Sequence, residues 1–223
     1  MGAHFLWFGG VWGRKDCFPG ADGSTITQVT GADPNAETIS IYDADGNTEL
    51  TEDGTGYRKI NITTSGVING TTSMIYSVKN PLTFIYNTTT PYDWYATLAI
   101  NQDNTLWGDG SIKSTYDPCP KGWRVPTDAS KTYGDFSTVT MTLSGSGTNV
   151  ANGRKYIHMG WFPAAGYRNF NSGVFGVVGS IGCCRSASIS GTDARHLRFD
   201  MSDVNPGYTN YRAWALSVRC VQE

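Results

Sequence analysis

The chain has 223 residues, enough for one large domain (1–223) with its own hydrophobic core. Its formal net charge of −2 and pI near 5.9 come without any Lys/Arg cluster, so we expect no nucleic-acid partner. No segment approaches the roughly 18 apolar residues of a spanning helix, and Met1–Trp7 lacks the charged region and cleavage site of a signal peptide, so we expect no membrane insertion.

The first seventy residues contain the signals of short strands and turns. Residues 1–20 form an aromatic segment that ends in a Phe-Pro-Gly turn, which predicts an ordered first strand. Residues 21–70 are rich in Thr, Gly, Asp and Asn, with short stretches such as Thr38–Tyr42 and Lys59–Ile62 that alternate as edge strands do. With 27 glycines and 13% aromatic residues in the whole chain, we predict a β-rich α+β fold with long irregular loops.

Residues 43–47, Asp-Ala-Asp-Gly-Asn, look like the start of a calcium loop. An EF-hand needs Gly at its sixth position and a bidentate Glu at its twelfth, whereas Gly comes fourth here and the closing Glu is missing. A hairpin turn is the favoured interpretation, and we predict no metal site and no cofactor.

The most specific segment is Tyr116–Thr127, YDPCPKGWRVPT. Pro118 and Pro120 hold the backbone extended on both sides of Cys119, and Trp123 supplies a large apolar anchor. We expect a rigid corner that is ready to form a disulfide. The five cysteines of the chain allow at most two internal disulfides. The sequence contains no CxxC pair of the kind that forms a zinc ribbon.

Together with NPLTFIY, LWGDG, the early WGRKDCFPG and the closing ALSVRCVQE, this segment resembles Bacteroidetes surface proteins of the fimbrillin-associated and Fibrobacter-type paralogous-domain group. The resemblance implies a single C-type-lectin-like domain in which the N- and C-terminal strands lie together. It also implies a Cys119–Cys220 disulfide, and it leaves Cys17 as a free thiol where the family usually has Pro. The closing Ser217–Val221 alternates as a core strand would.

Residues 162–213 contain no Lys, Glu, Gln or Trp, although these four types total 21 in the chain. At that density roughly six would be expected in such a window. Randomising the adenines of AAC codons produces this pattern, because the resulting codons encode none of these four types, nor Met. Met201 is the one residue of this segment that such codons cannot encode.

The same stretch resembles the variable region of proteins diversified by retroelements, and we take 161–220 as the ligand-binding region. Matching the family pattern position by position predicts a displayed, ligand-binding set: Tyr167, Arg168, Phe170, Val174, Phe175, Val177, Cys183, Cys184, Arg185, Arg195, His196, Tyr208, Asn210 and Arg212. The fixed scaffold is then expected to include Trp161, Phe162, Pro163, Ala164, Gly166, Ser186, Leu197, Phe199, Asn205, Pro206 and Trp214.

Several of these residues have a plainer interpretation. Val174, Phe175 and Val177 could be core of a strand, Tyr208 and Tyr211 could be packing aromatics, and the arginines could be solvated surface. Cys183 and Cys184 could form a vicinal disulfide or pair with Cys17, but we favour small apolar surface or half-buried thiols.

No motif predicts catalysis. The three histidines, His4, His158 and His196, have no metal-ligand spacing, and no nucleophile elbow, phosphate loop or dinucleotide fingerprint occurs. The glycine-rich stretch Gly176–Gly182 lacks the Lys-Ser/Thr of a phosphate loop, so we interpret it as a flexible display loop. A related fold serves sulfatase-activating enzymes, but their cysteine pair and metal site have no counterpart here.

Three hypotheses remain. The chain is a retroelement-diversified binder of a protein or glycan receptor on a cell surface, a fimbrial-tip or surface adhesin without programmed variation, or a pilus subunit that polymerises by donating a strand. All three place it on the cell surface, in a secreted form or on a phage virion.

Overall fold

The structure, a computed structural model, describes residues 6–15, 41–42, 47, 49–50, 58–67, 70–81, 83–108, 112–127, 136–143, 153–158, 160–173, 175–177 and 179–223. The predictions on His4, Cys17, Val174 and residues 43–46 lie outside these ranges. Among the described residues the regular structure is mostly strand, with one α-helix, so the prediction of a β-rich fold is confirmed.

The strands of the described part run in chain order: β1 Leu6–Val11, β2 Ile41–Tyr42, β3 Glu49–Leu50, β4 Arg58–Asn61, β5 Thr83–Tyr86, β6 Trp123–Arg124, β7 Met141–Leu143, β8 Gly153–Tyr156, β9 Gly160–Pro163, β10 Tyr167–Arg168, β11 Phe175–Gly176, β12 Gly182–Ser190, β13 Asp193–Phe199, β14 Val204–Asn210, β15 Ala215–Arg219 and β16 Val221–Gln222. The α-helix, α1, is Thr71–Lys79, and a short 3-10 helix covers Ala99–Asn101. None of the described helices is both long and apolar enough to cross a membrane.

The main sheet is built around β15. Its strand order is β11-β10-β15-β12-β13-β14, and β1 also pairs with β15. The pair β1–β15 is antiparallel, with Leu6 opposite Arg219 and Val11 opposite Ala215. The predicted first strand and the closing strand are therefore both confirmed, and they lie side by side. Every residue of β15 is buried rather than every second one, because neighbouring layers cover the strand on both faces.

The smaller sheets flank this central unit. Strands β4 and β5 are parallel neighbours, and α1 connects them as the crossover that a parallel pair requires. Strands β2 and β3 pair antiparallel, with Ile41 opposite Leu50 and Tyr42 opposite Glu49. A three-stranded sheet, β7-β8-β9, and the pair β6-β16 complete the described topology.

Three buried tryptophans join the N-terminal turn to the rest of the core. The Trp12 indole donates to the Ala187 carbonyl at 3.0 Å, and the Trp94 indole donates to the Trp12 carbonyl at 2.6 Å. Trp107 donates to the Arg14 carbonyl at 2.9 Å. Each ring buries a large apolar area while its N–H is hydrogen-bonded to a backbone carbonyl. The three tryptophans therefore fix the turn after β1 in the core.

The corner predicted at Tyr116–Thr127 is present. Cys119 and Cys220 form the disulfide that the family resemblance implied. The two oxygens of buried Asp117 accept the amides of Cys119 and Val125 at 2.8 and 2.9 Å, so this carboxylate holds both arms of the corner. Pairing of β6 with β16 then attaches the corner to the C-terminus.

Candidate ligand-binding face

The structure divides the predicted ligand-binding set into buried and accessible side chains. Tyr208 is 40% exposed, and five others are partly exposed: Tyr167, Phe170, Val177, Arg195 and Asn210. Six are buried, with at most 8% exposure: Arg168, Cys183, Cys184, Arg185, His196 and Arg212. Only the backbone of Phe175 is described. The six buried side chains are therefore not displayed at the surface as predicted, whereas ligand contact by the accessible ones stays a prediction.

The buried arginines are bound to backbone carbonyls. Arg185, on β12, is fully buried and donates from Nη2 to the carbonyls of Trp214 at 2.8 Å and Tyr211 at 3.1 Å. Arg212 donates to Asn104 Oδ1 at 2.6 Å and to the Gly191 carbonyl at 3.2 Å. A guanidinium has five donors in a fixed fork, so it satisfies carbonyls where strands turn into loops. That architectural use is the physical reason these arginines are not displayed.

Few buried carboxylates accompany these cations in the described part. Burial lowers the pKa of Arg185 to about 9, although it remains protonated at neutral pH. Burial also raises the pKa of Asp93, while hydrogen bonds and nearby Arg212 oppose the rise. The Asp93 carboxylate accepts the Tyr95 amide and the Gln102 side chain at 3.0 and 2.8 Å. These hydrogen bonds form a polar network around the buried Asp93 carboxylate.

Cys183 and Cys184 are unbonded thiols inside the molecule rather than half-buried surface, so they form no vicinal disulfide. Burial raises the pKa of each to about 12. A thiol that stays protonated is a poor nucleophile, so neither residue suits catalysis.

Five aromatic side chains lie in contact at one end of the main sheet, and we call them the aromatic face: Tyr92, Tyr167, Phe170, Tyr211 and Trp214. The rings of Tyr92 and Tyr211 have centroids 4.4 Å apart, and Phe170 lies 4.9 and 4.8 Å from these two. Tyr167 meets Trp214 edge-on at 3.9 Å. All but Trp214 are partly exposed, and the indole N–H of Trp214 has no hydrogen-bond partner among the described residues.

A second group, the hairpin patch, comprises Arg198 and Tyr208 on β13 and β14. The Arg198 guanidinium lies 5.4 Å from the Tyr208 ring centroid and forms an ion pair with Asp200 at 2.9 Å. Arg195 lies on the other side of β13, because it pairs with Thr209 whereas His196 pairs with Tyr208, and it donates to the Gly207 carbonyl at 3.3 Å. The contacts of Arg198 thus orient one cation and one exposed ring on the same side of the hairpin.

The hairpin patch borders the aromatic face. Arg198 is the strand partner of Cys183, which packs in one cluster with Trp214 and Tyr167. Burial and nearby Cys183 raise the pKa of the Tyr167 hydroxyl, and the charge of Arg198 opposes that rise. Together the two groups form one surface of tyrosine, phenylalanine, tryptophan and arginine side chains.

The backbone around the aromatic face is held in place. Tyr92 has φ of 55°, a left-handed conformation that a non-glycine residue adopts at a cost of order 1–3 kcal/mol. Its carbonyl accepts the Ala213 amide at 3.1 Å, and the Phe170 carbonyl accepts the Asn87 amide at 2.9 Å. Val177 also has positive φ, at 54°, and Gly179 donates to the Ala164 carbonyl at 2.7 Å. The glycine-rich stretch is thus bonded to the scaffold at this point.

The displayed set predicted from the sequence omits four side chains of this surface: Tyr92, Arg198, Tyr211 and Trp214, of which Trp214 was predicted as scaffold. Tyr211 and Arg198 both lie inside the compositionally biased segment. Arg198 is part of a strand, where alternate side chains face outward, and that alternation could have indicated it. Tyr92 lies 75 residues before Tyr167 in the chain, and only the fold brings it to the face. Conversely, Trp161, predicted as scaffold, is 40% exposed.

This surface is suited to recognition by contact. The described residues contain no group of three His, Cys, Asp or Glu side chains that could hold a metal ion. Aromatic rings and arginines bind through large apolar area, hydrogen bonds and cation–π contacts. Comparison of the chain with protein-family models, curated proteins and solved structures gave no match.

Proposed function

We propose that this protein is a ligand-recognition domain of C-type-lectin-like fold, and the variable protein of a diversity-generating retroelement. Its binding surface is the aromatic face together with the hairpin patch. The observation that carries this proposal is that these side chains, apart from Tyr92 and Trp214, all come from the compositionally biased segment 162–213. Segments far apart in that stretch meet on one partly exposed surface of hot-spot residue types.

Two features support the lectin-like assignment. The first and last long strands pair antiparallel, which closes the ends of the domain together. A disulfide then joins the C-terminus to the corner at Cys119. Disulfides persist in oxidising compartments, which agrees with a secreted, cell-surface or virion location.

The burial pattern narrows the set of positions that diversification can use. Substitution of an exposed side chain usually changes stability by less than about 0.5 kcal/mol, whereas replacing a buried, hydrogen-bonded arginine costs several. We therefore propose that the varied positions lie among the accessible residues: Tyr167, Phe170, Val177, Arg195, Arg198, Tyr208, Asn210 and Tyr211. Arg168, Arg185, His196 and Arg212 belong to the fixed scaffold.

A genetic test addresses diversification. The coding DNA for residues 161–220 and its flanks is sequenced in search of a template copy that differs only at adenines, beside a reverse transcriptase gene. We expect differences at codons of accessible residues and none at the codons of Arg185 and Arg212. A template that varies the Arg185 codon would contradict the division into scaffold and face, and absence of any template would overturn the retroelement.

A binding test addresses recognition itself. The purified chain is screened against arrayed glycans and surface proteins, and each hit is retested with Tyr208→Ala and Arg198→Ala. Loss of a hot-spot side chain is expected to weaken binding by at least about tenfold. Thr142→Ala, at an exposed position on the separate β7 strand, serves as the matched control. Hits that weaken equally in all three variants would place the binding site elsewhere.

One observation favours a second candidate, a surface adhesin without programmed variation. Six of the residues that match the family's variable pattern are buried. In a fixed adhesin these positions are ordinary core, and the missing residue types are an accident of composition. The template search distinguishes the two functions, since both use the same face.

A further inference from the structure

A pocket that is separate from the aromatic face and the hairpin patch lies between α1 and the turn that follows β1. Its volume is about 260 Å³. Met74, Ser77 and Val78 form its helical wall, because residues spaced by three and four lie on one side of a helix. Pro81 and Tyr116 complete the rim, and Trp94 supplies a flat aromatic surface.

The opposite wall carries positive charge. Gly13, Arg14 and Lys15 line it, and the described lining contains no carboxylate. Arg14 is only 1% exposed, donates to the Thr83 carbonyl at 2.7 Å, and lies 5.4 Å from the centroid of the Trp94 ring. A cation in a partly water-excluded wall attracts an anion more strongly than one in bulk water.

Lys15 adds a mobile donor at the mouth. Its ammonium donates to the Thr115 carbonyl at 2.9 Å. An ammonium has three N–H donors, so two others remain for a ligand at this exposed position. The hydroxyl of Tyr116, a residue that is 36% exposed, stands on the same rim as a further donor.

We propose that this pocket binds a small organic anion with an apolar body, of the arylcarboxylate or branched alkylcarboxylate class. The carboxylate lies at the Lys15 and Arg14 end, and the apolar part lies against Trp94, Met74 and Val78. The volume is below the roughly 300–1,000 Å³ typical of pockets for drug-sized ligands, which limits the ligand to about one ring or one branched chain. The pocket shares no residue with the aromatic face or the hairpin patch, so this proposal stands independently of the proposed function.

The test uses 4-fluorophenylacetate, followed by ¹⁹F NMR titration of the whole protein. Its neutral isostere 4-fluorophenylacetamide has nearly the same shape without the charge. For a ligand of this size we expect a dissociation constant on the order of 0.1–1 mM. The amide is expected to bind about fivefold more weakly, since it lacks the charge-assisted contact with Lys15.

Two variants locate the site. Val78→Trp places a large ring at the pocket rim from a position that is 71% exposed, so the fold tolerates it, and it should abolish binding. Lys15→Gln should reduce affinity for the acid about fivefold and leave the amide unchanged. Lys121→Gln, an exposed lysine outside the pocket, is the matched control and should change neither affinity.

Saturable binding of the acid that weakens in Val78→Trp and Lys15→Gln, with Lys121→Gln unchanged, supports the proposal. Equal affinity for acid and amide would overturn the anionic class of ligand. Binding that persists in Val78→Trp, or no chemical-shift change at 10-fold above the expected dissociation constant, would overturn the site. Thermal melting of each variant verifies that the fold is intact.

Discussion

Replacing Arg185 with alanine should destabilise the protein far more than the same change at Arg195. Both residues belong to the antiparallel hairpin of β12 and β13 and both match the predicted variable pattern. Arg185 is fully buried and donates to the Trp214 and Tyr211 carbonyls, with a longer contact of 3.4 Å to the Ala194 carbonyl. Its removal leaves buried carbonyls without donors and opens a cavity.

The magnitude follows from these losses. Leaving a buried carbonyl without its donor costs about 1–3 kcal/mol, and Arg185 has two such partners at 3.1 Å or less, so we expect a loss of about 2–6 kcal/mol. For a chain of this size that corresponds to a fall in Tm of roughly 4–24 °C. Arg195 is partly exposed and its bond to the Gly207 carbonyl is 3.3 Å long, so its replacement should cost less than about 1 kcal/mol.

Urea denaturation followed by tryptophan fluorescence measures both variants against the parent chain. The fluorescence baseline is suitable because Trp12, Trp94 and Trp107 are buried and become exposed on unfolding. A loss below 1 kcal/mol for Arg185→Ala, with unchanged cooperativity, would refute its structural role. That result would also restore Arg185 to the set of residues that diversification can vary.

Three further predictions concern cysteines and pH. Removal of the disulfide by Cys119→Ser together with Cys220→Ser should cost about 4–5 kcal/mol in the chain-entropy treatment, since the bridge spans a sequence separation of 101, and unchanged stability in urea would contradict this. In a Cys17→Ser variant, Cys183 and Cys184 should react with a thiol reagent only after unfolding, because burial raises their pKa to about 12, and rapid labelling of this native variant would contradict their burial. Burial, with Arg185 and Arg198 nearby, lowers the pKa of His196 well below 6.5, so the unfolded chain takes up the proton first, and the free energy of unfolding should fall by up to about 1.4 kcal/mol per pH unit below pH 6.5. This pH dependence should disappear in His196→Asn but remain in His158→Asn, an exposed control, and an identical pH profile in all three proteins would refute it.

Local sequence signals predicted the ends of the fold well. The aromatic opening segment, the alternation at Lys59–Ile62 and the paired prolines around Cys119 each depend on neighbouring residues, and each corresponds to a strand or corner in the structure. Helix α1 was not predicted, because its sequence TTSMIYSVK has a high content of Thr, Ser and β-branched residues. Its position as the crossover between two parallel strands, rather than its intrinsic propensity, accounts for its formation.

The sequence was less informative about which side chains face outward. The expected display of Arg168, Arg185, His196 and Arg212 followed from the match to the family's variable pattern, and it agreed with the rule that an arginine or histidine in a polar segment is normally solvated. The rule fails here because the loops that follow β12 and β14 turn their carbonyls inward, and guanidinium groups fill the resulting space. Such a requirement depends on contacts between distant residues, so a local pattern carries no trace of it.

The same distinction bears on how a diversified binder could remain folded. The carbonyls of Tyr211 and Trp214, which flank the aromatic face, are held by Arg185, while Arg212 holds the loop at Asn104 and Gly191. The bonds to Tyr211, Trp214 and Gly191 run from fixed side chains to backbone carbonyls, so they do not depend on the identity of the displayed residues. Tyr211 can change its side chain without losing the bond to its carbonyl. A surface supported in this way tolerates many side-chain combinations at little cost in stability, provided that the buried arginines stay constant.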